Sequence, residues 1–239
     1  MHKVYYFLSS LSVSDRTLDA ESNSLNCFMR GIKLFLTDKE NRFVPNDNST
    51  PLEWFSFMQH HGVRTRLLDT TCSPWIAAFF ASVDISDTKE ENGITKKRCI
   101  WAFPSKIIDA KNITLLGIKA DDVGKAVYDY YQKNLGEINN PIIGYTFLEQ
   151  LHERAFHQQS AFLYSMTSMF SFSRLLAKYY ADDETRLEKL IFHFSDRNEF
   201  AKAIEYLRIM NITYSSLFPG IDGYGKEVSL YQDYFDKLQ

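Results

Sequence analysis

Residues 59–81 read QHHGVRTRLLDTTCSPWIAAFFA and join an apolar, β-branched segment to the start of a helix. The segment itself is residues 63–71, and its centre is apolar. Ser73 followed by Pro74 is typical of an N-cap with proline at the first helical position, so we predict a helix over Trp75–Ala81. Because nearly every residue of that helix is apolar, we expect it to be buried on most faces.

The flanking sequence alternates short helices with short strands. Residues 51–63 are typical of a short helix, with Pro51 at its first position and Gly62 ending the apolar run. Leu25–Gly31 is short, apolar and ends in glycine, which predicts a buried strand meeting a turn. We predict further strands at the N-terminus and over Cys99–Phe103, Ser160–Tyr164 and Leu190–Phe194. We predict loops over residues 37–51 and 84–97. We predict further helices over residues 121–132, 198–207 and 227–237 and over part of 147–159. This order predicts an α+β fold, a single domain over residues 1–239 with small mixed or antiparallel sheets and surrounding helices.

Composition restricts the class of protein. The 239 residues are 45% hydrophobic and 24% charged, which excludes disorder as the main state, and a net charge of -3 excludes a global basic field for nucleic acid. Cys27, Cys72 and Cys99 form no CxxC pair, so we expect free thiols in a reducing cytosol and no metal site. No apolar run approaches the roughly 20 residues that span a bilayer, so we expect a soluble, cytoplasmic protein without a membrane partner.

Common catalytic motifs do not explain the chain. The sequence has no Walker A motif, no GxGxxG and no GxSxG. His152 and His157 are five residues apart, whereas two zinc ligands on one helix face need a spacing of four. The pair His60-His61 suits a helix C-terminus, where a protonated histidine meets the helix dipole, and a catalytic role is the alternative.

Three segments combine residues suited to binding a nucleotide. Arg30 lies in the apolar run that we predict to be buried, and a buried arginine must be paired or hold an anion, while Gly31 allows close approach. The hydroxyl-rich turn Asp69–Ser73 precedes a predicted helix and suits anion or amide binding. Gln158-Gln159 places an amide just before an apolar strand. The alternative is that Arg64, Arg66 and Asp69 form a buried ion-pair network that only stabilises the fold.

These segments resemble the FRG domain, a bacterial domain named for a Phe-Arg-Gly motif. The residues that match its signature in order are Gln59, His60, Gly62, Thr65, Arg66, Leu67, Leu68, Asp69, Thr71, Pro74, Ala78, Phe80 and Ala81. Arg30-Gly31 match the name motif, with Met29 in place of its phenylalanine and Ile32 in place of glutamine. Two later segments also match: Arg154, Gln158 and Phe162, with Ser160 replacing a glycine, and residues 217–223. The resemblance covers about residues 25–225.

The layout of the FRG domain is in turn similar to that of ADP-ribosyltransferases, which implies NAD as substrate and no metal. In that layout Arg30 grips the NAD diphosphate, Thr71 and Ser73 orient the nicotinamide ribose, and Gln158 or Gln159 holds the late position otherwise filled by an acid. The remaining residues implied are Gly31, His60, Arg66 and Asp69 as NAD-binding, Glu149 or Glu153 as the alternative late acid, and Tyr145 or Tyr164 as a stacking ring. The expected function is an intracellular toxin or anti-phage effector that modifies nucleic acid or protein, with an antitoxin protein as partner.

Two other functions stay open at this point. Arg64, Arg66 and the basic run Lys96-Lys97-Arg98 fit a non-catalytic module that binds nucleic acid or a partner protein, although the run is also typical of a solvated loop. His60 or His61 near these arginines fits a metal-independent nuclease.

Overall fold

Six antiparallel strands form the sheet at the centre of the protein. The computed structural model describes residues 4–7, 18–35, 44–46, 49–83, 98–117, 142–146, 153–165, 172–181 and 188–235. The strands are β1 (Val4–Phe7), β2 (Leu67–Thr71), β3 (Arg98–Pro104), β4 (Ile143–Thr146), β5 (Ser160–Ser165) and β6 (Glu188–Phe192). Their order across the sheet is β4-β5-β2-β1-β3-β6, so β2 lies between β5 and β1.

Helices surround this sheet. They are α1 (Leu18–Gly31), α2 (Pro51–His60), α3 (Pro74–Ser82), α4 (Ser105–Leu116), α5 (Glu153–His157), α6 (Phe172–Tyr179), α7 (Arg197–Ile209), α8 (Tyr214–Leu217) and α9 (Ile221–Phe235), with a short 3-10 helix over Ile32–Leu34. None of the described helices is long and apolar enough to cross a membrane. The predicted α+β fold class is confirmed, and of the two sheet types expected, mixed or antiparallel, the described strands form the antiparallel one.

Successive side chains of a strand point to opposite faces of the sheet, so the two faces of β2 and β5 pack in different apolar clusters. Leu68 of β2 and Leu163 of β5 pack with α4 and α6, whereas Leu67 and Phe162 pack against α2. A separate apolar cluster joins α3 to the three C-terminal helices, with Phe79 of α3 at only 1% exposure. The part of the sheet formed by β2 and β5 is therefore covered on both faces.

Local signals placed several elements correctly. α2 begins at Pro51 after a capping box formed by Thr50 and Glu53, and the chain turns at Gly62, whose φ of +81° favours glycine. α3 begins at Pro74 as predicted, and the Ser73 hydroxyl accepts a hydrogen bond from the amide of Ile76 at 3.3 Å. β3 and β5 also lie where the sequence places them. The three cysteines are free thiols.

Several predictions were wrong. Leu25–Gly31 is the end of helix α1 rather than a buried strand, because Leu25 and Phe28, three residues apart, pack on the α2 core while Arg30 is exposed. Trp75 is 55% exposed, so α3 is less completely buried than expected.

Other differences concern bounds or missed elements. The last strand ends at Phe192 rather than Phe194, and the last helix begins at Ile221, six residues before the predicted start. The described elements that had no prediction are β4, α4, α6, α8 and the 3-10 helix over Ile32–Leu34. The predicted loop at 84–97, the helix at 121–132 and Glu149 lie outside the described residues.

Candidate functional site

A small cleft lies between α2, β2, β5 and α5 and holds about 300 Å³ of open space. Its walls combine one carboxylate, one guanidinium, two amides, one imidazole and two hydroxyls with an apolar floor. The lining residues are Ser56, Gln59, His60, Asp69, Arg154, Ala155, Gln158, Ser160 and Phe162.

The alternation of β2 explains how a carboxylate enters this cleft. Leu67 and Asp69 are two residues apart and so share the face of the strand that α2 covers. Asp69 pairs across the sheet with Phe162 of β5, which also lines the cleft. An ionisable side chain thus stands on an apolar face that would otherwise be core.

Two charged groups in the cleft act on each other. Burial raises the pKa of Asp69 above its usual value, and a hydrogen bond from Gln59 and the positive charge of Arg154 oppose that rise. Burial also lowers the pKa of Arg154, and the negative charge of Asp69 opposes that change. Asp69 and Arg154 therefore form a partly desolvated pair of opposite charges that line one cleft.

A hydrogen bond from Thr65 fixes the orientation of the Gln59 side-chain amide. The Thr65 hydroxyl donates to Gln59 Oε1 at 2.6 Å and accepts from the Leu67 amide at 3.2 Å. Since the carbonyl oxygen of Gln59 is engaged, its amide nitrogen is the group that donates to Asp69. A chain of hydrogen bonds thus runs from the backbone of β2 through Thr65 and Gln59 to the carboxylate.

Arg154 and Gln158 connect the cleft to the C-terminal helices. The Arg154 guanidinium carbon lies 4.4 Å from the ring centroid of Phe218, a cation–π distance. The side-chain amide nitrogen of Gln158 donates to the backbone oxygen of Leu217 at 3.0 Å. The segment that joins α8 to α9 therefore forms one border of the cleft.

The predicted hydroxyl turn does meet the predicted amide segment. Thr71 Oγ1 donates to the backbone oxygen of Gln158 at 2.8 Å, and the Cys72 amide donates to the backbone oxygen of Gln159 at 3.1 Å. The Thr71 hydroxyl also accepts from the Ser73 amide at 3.1 Å. These hydroxyls hold the turn together, and their roles toward a ligand stay predictions. Gln158 lines the cleft, whereas Gln159 is exposed.

One known family matches part of the chain. Residues 7–90 match the model of the FRG domain, so about a third of the chain is similar to that domain. No curated protein and no solved structure matches the chain. The matched range of the FRG domain supplies the α2 and β2 sides of the cleft, while Arg154 and Gln158 come from outside it.

Arg30, the arginine that matches the FRG name motif, lies outside the cleft. Arg30 is exposed in the last turn of α1, and neither Arg30 nor Gly31 lines the cleft. The expectation that Arg30 is buried was wrong, because the segment is an amphipathic helix with Arg30 on its exposed side. Its role in binding NAD stays a prediction.

Arg66 forms a buried ion pair, as the alternative to a ligand role expects, but with Glu21 rather than with Asp69. Its side chain is 6% exposed, and its Nε donates to both carboxylate oxygens of Glu21 at 2.9 and 2.7 Å. Its Nη1 donates to the backbone oxygen of Ser165 at 3.2 Å. Arg66 is three residues before Asp69, roughly 10 Å along an extended strand, and does not line the cleft. This arginine therefore ties α1 to the end of β5.

Some of the remaining predicted residues line the cleft and others lie outside it. His60 lines the cleft at the end of α2, as expected for a helix C-terminus, and its ring lies 5.0 Å from that of His61. Glu153 is exposed and does not line the cleft. Tyr164 is 1% exposed within the core, and Tyr145 donates to a carboxylate oxygen of Asp109 on the opposite face of the sheet.

Sequence reasoning did not assign roles to Gln59 and Arg154. Both belong to segments that resemble the FRG domain, and that resemblance was the available signal. The sequence gives no sign that Asp69 lies between them, because the three residues come from three different elements.

Proposed function

We propose that this protein is an NAD-dependent ADP-ribosyltransferase that modifies a macromolecule, nucleic acid or protein, as an intracellular toxin or anti-phage effector. The observation that carries the proposal is one cleft in which a guanidinium, a desolvated carboxylate and an amide lie beside a hydroxyl turn. These are the groups that the ADP-ribosyltransferase layout requires. In this assignment Arg154, rather than Arg30, is the cation that meets the NAD diphosphate.

The chemistry of the transfer suits the cleft. The bond between C1′ of the nicotinamide ribose and the ring nitrogen breaks, and its electron pair leaves with nicotinamide. The acceptor forms a bond to the same carbon and loses a proton. Positive charge develops on the ribose as the bond breaks, so a fixed anion in a dry cleft stabilises the transition state. Asp69 supplies that anion, with Gln59 holding its orientation.

The groups that line the cleft suggest which part of NAD it receives. A carboxylate and an amide oxygen suit the nicotinamide ribose, so we assign that end of NAD to the cleft. Gln158 has its amide nitrogen committed to Leu217, so its side-chain oxygen is the atom available to a ribose hydroxyl. The diphosphate then lies where Arg154 borders the cleft.

A second function, a non-catalytic FRG module that binds nucleic acid or a partner protein, has one supporting observation. Phe156 is 71% exposed and Trp75 is 55% exposed, and each is three residues from the hydrogen bond between Cys72 and Gln159. Exposed rings at such a position suit base stacking or a protein interface.

The test uses labelled NAD, incubated separately with cellular protein, RNA and DNA. Wild type should release nicotinamide and transfer label to one class of macromolecule. Arg154→Gln should lower turnover by about 100-fold, as expected when a charge-stabilising donor is lost. Arg174→Gln, an exposed arginine on α6, is the matched control and should match wild type.

The outcomes separate the proposals. The wild type could release no nicotinamide and transfer no label, yet bind RNA or protein in a salt-dependent way. That result would favour the non-catalytic binding module over the transferase. Loss of activity in Arg30→Gln with activity retained in Arg154→Gln would return the diphosphate role to Arg30. An antitoxin partner is tested separately, by rescue of growth when a neighbouring gene product is co-expressed with an active chain.

A further inference from the structure

The ring of Phe218, beside the cleft, contacts two positively charged side chains. Arg154 lies 4.4 Å from the ring centroid, and the Lys226 amino nitrogen lies 4.9 Å from the same centroid. The ring is itself held by Phe80, with centroids 5.8 Å apart, and by Tyr214, also at 5.8 Å. One anchored aromatic ring thus brings together a half-buried cation that lines the cleft and an exposed cation outside it.

Two neighbouring cations repel each other, and the face of an aromatic ring offsets only part of that repulsion. The nearest acidic residue in sequence, Glu227, is buried and accepts hydrogen bonds from the amides of Tyr214 at 2.6 Å and Ser215 at 3.3 Å. Its charge is therefore committed to the start of α8. Asp222, one turn before Lys226 on α9, is exposed and competes for Lys226, while Asp69 is the carboxylate that acts on Arg154.

We infer that Arg154 and Lys226, both held on Phe218, bind the two phosphates of a diphosphate group. Arg154 takes the phosphate nearer the cleft and Lys226 the outer one. Two cations held on one ring attract a doubly charged group more strongly than either cation alone attracts a single phosphate. The inference rests on the proposed function for the identity of the ligand, a dinucleotide whose ribose end enters the cleft. It adds Lys226 as a binding residue, well outside the FRG match.

The test measures binding of ADP-ribose and of inorganic pyrophosphate to the full chain by calorimetry at low ionic strength. Lys226→Glu should weaken both affinities by about 10-fold, and the difference should shrink as salt is added, because exposed charges are screened. Asp222→Asn removes the competing carboxylate and should tighten binding. Lys202→Ala, an exposed lysine on α7, is the control and should bind as wild type does.

Equal affinities in wild type and Lys226→Glu would overturn the inference, as would an equal loss in Lys202→Ala or no binding of either compound by wild type. If binding depends on Lys226 but NAD yields no nicotinamide, the diphosphate site stands and the transferase fails. If nicotinamide is released and the KM for NAD is unchanged in Lys226→Glu, the transferase stands and the diphosphate site fails.

Discussion

Replacing Arg66 by methionine should destabilise the protein without touching the cleft. Arg66 is 6% exposed and its partner Glu21 has a side chain 12% exposed, so both charges are largely withdrawn from water. Arg66→Met leaves the Glu21 carboxylate without its cation and the Ser165 carbonyl without its donor. Breaking a buried pair from one side costs about 3–5 kcal/mol. For a chain of this size that corresponds to a fall in Tm of roughly 6–20 °C.

The double variant Glu21→Leu/Arg66→Met makes the prediction specific. Replacing both charges with apolar side chains removes the uncompensated carboxylate, so most of the lost stability should return. Urea unfolding followed by circular dichroism measures all three proteins at the same pH. A loss below about 1 kcal/mol in Arg66→Met, or a double variant no more stable than Arg66→Met, would refute the reasoning. If Arg66→Met instead keeps its stability but loses NAD binding, Arg66 belongs to the ligand site as the FRG resemblance first implied.

Three further predictions follow from single contacts. Asp69→Asn should be more stable than wild type at neutral pH, because burial raises the pKa of Asp69 and its charged form destabilises the fold. Urea unfolding measures the difference in stability between the two proteins. That difference should vanish at a pH below the ordinary pKa of aspartate, where Asp69 is neutral. Gly144→Ala should cost about 3 kcal/mol in the same assay, since the new methyl group would overlap the buried ring of Tyr164, and equal stability would contradict this. Ser73→Ala removes the N-cap of α3 and should cost about 1 kcal/mol; no change in the urea midpoint would mean that this cap contributes nothing.

The parts of the fold that the sequence predicts correctly are those with strong local signals. Proline at the first position and an end signal within ten or so residues define α2 and α3, and Pro104 defines the end of β3. The strand prediction for Leu25–Gly31 was wrong because seven residues are too few to distinguish a helical repeat from an apolar strand. The helix that contains this segment begins at Leu18, within a polar stretch that shows no helical pattern.

The structure brings two of the expected site residues together, and their roles toward a ligand stay predictions. Gln158 and Thr71 meet because β5 and β2 are neighbours in the sheet. Which arginine lines the cleft depends on tertiary position, because Arg30 and Arg154 both lie beside apolar residues in sequence. Only the packing of α5 against the segment around Phe218 decides which arginine lines the cleft.

The spacing of the FRG signature has a physical explanation in this structure. Gln59 lies in the last turn of α2, and Gly62 allows the tight reversal that follows. Thr65 lies just before β2, so its hydroxyl returns to the Gln59 amide six residues later. Four residues further on, Asp69 reaches the same amide from the strand. The three side chains act as a unit that holds a carboxylate in a place where burial opposes its charge. Such an arrangement costs stability, as the Asp69→Asn prediction states, and ionisable groups with strongly perturbed pKa values concentrate at functional sites. The signature is thus better explained by holding one charge in the cleft than by stabilising the fold, which the pair Arg66–Glu21 already does.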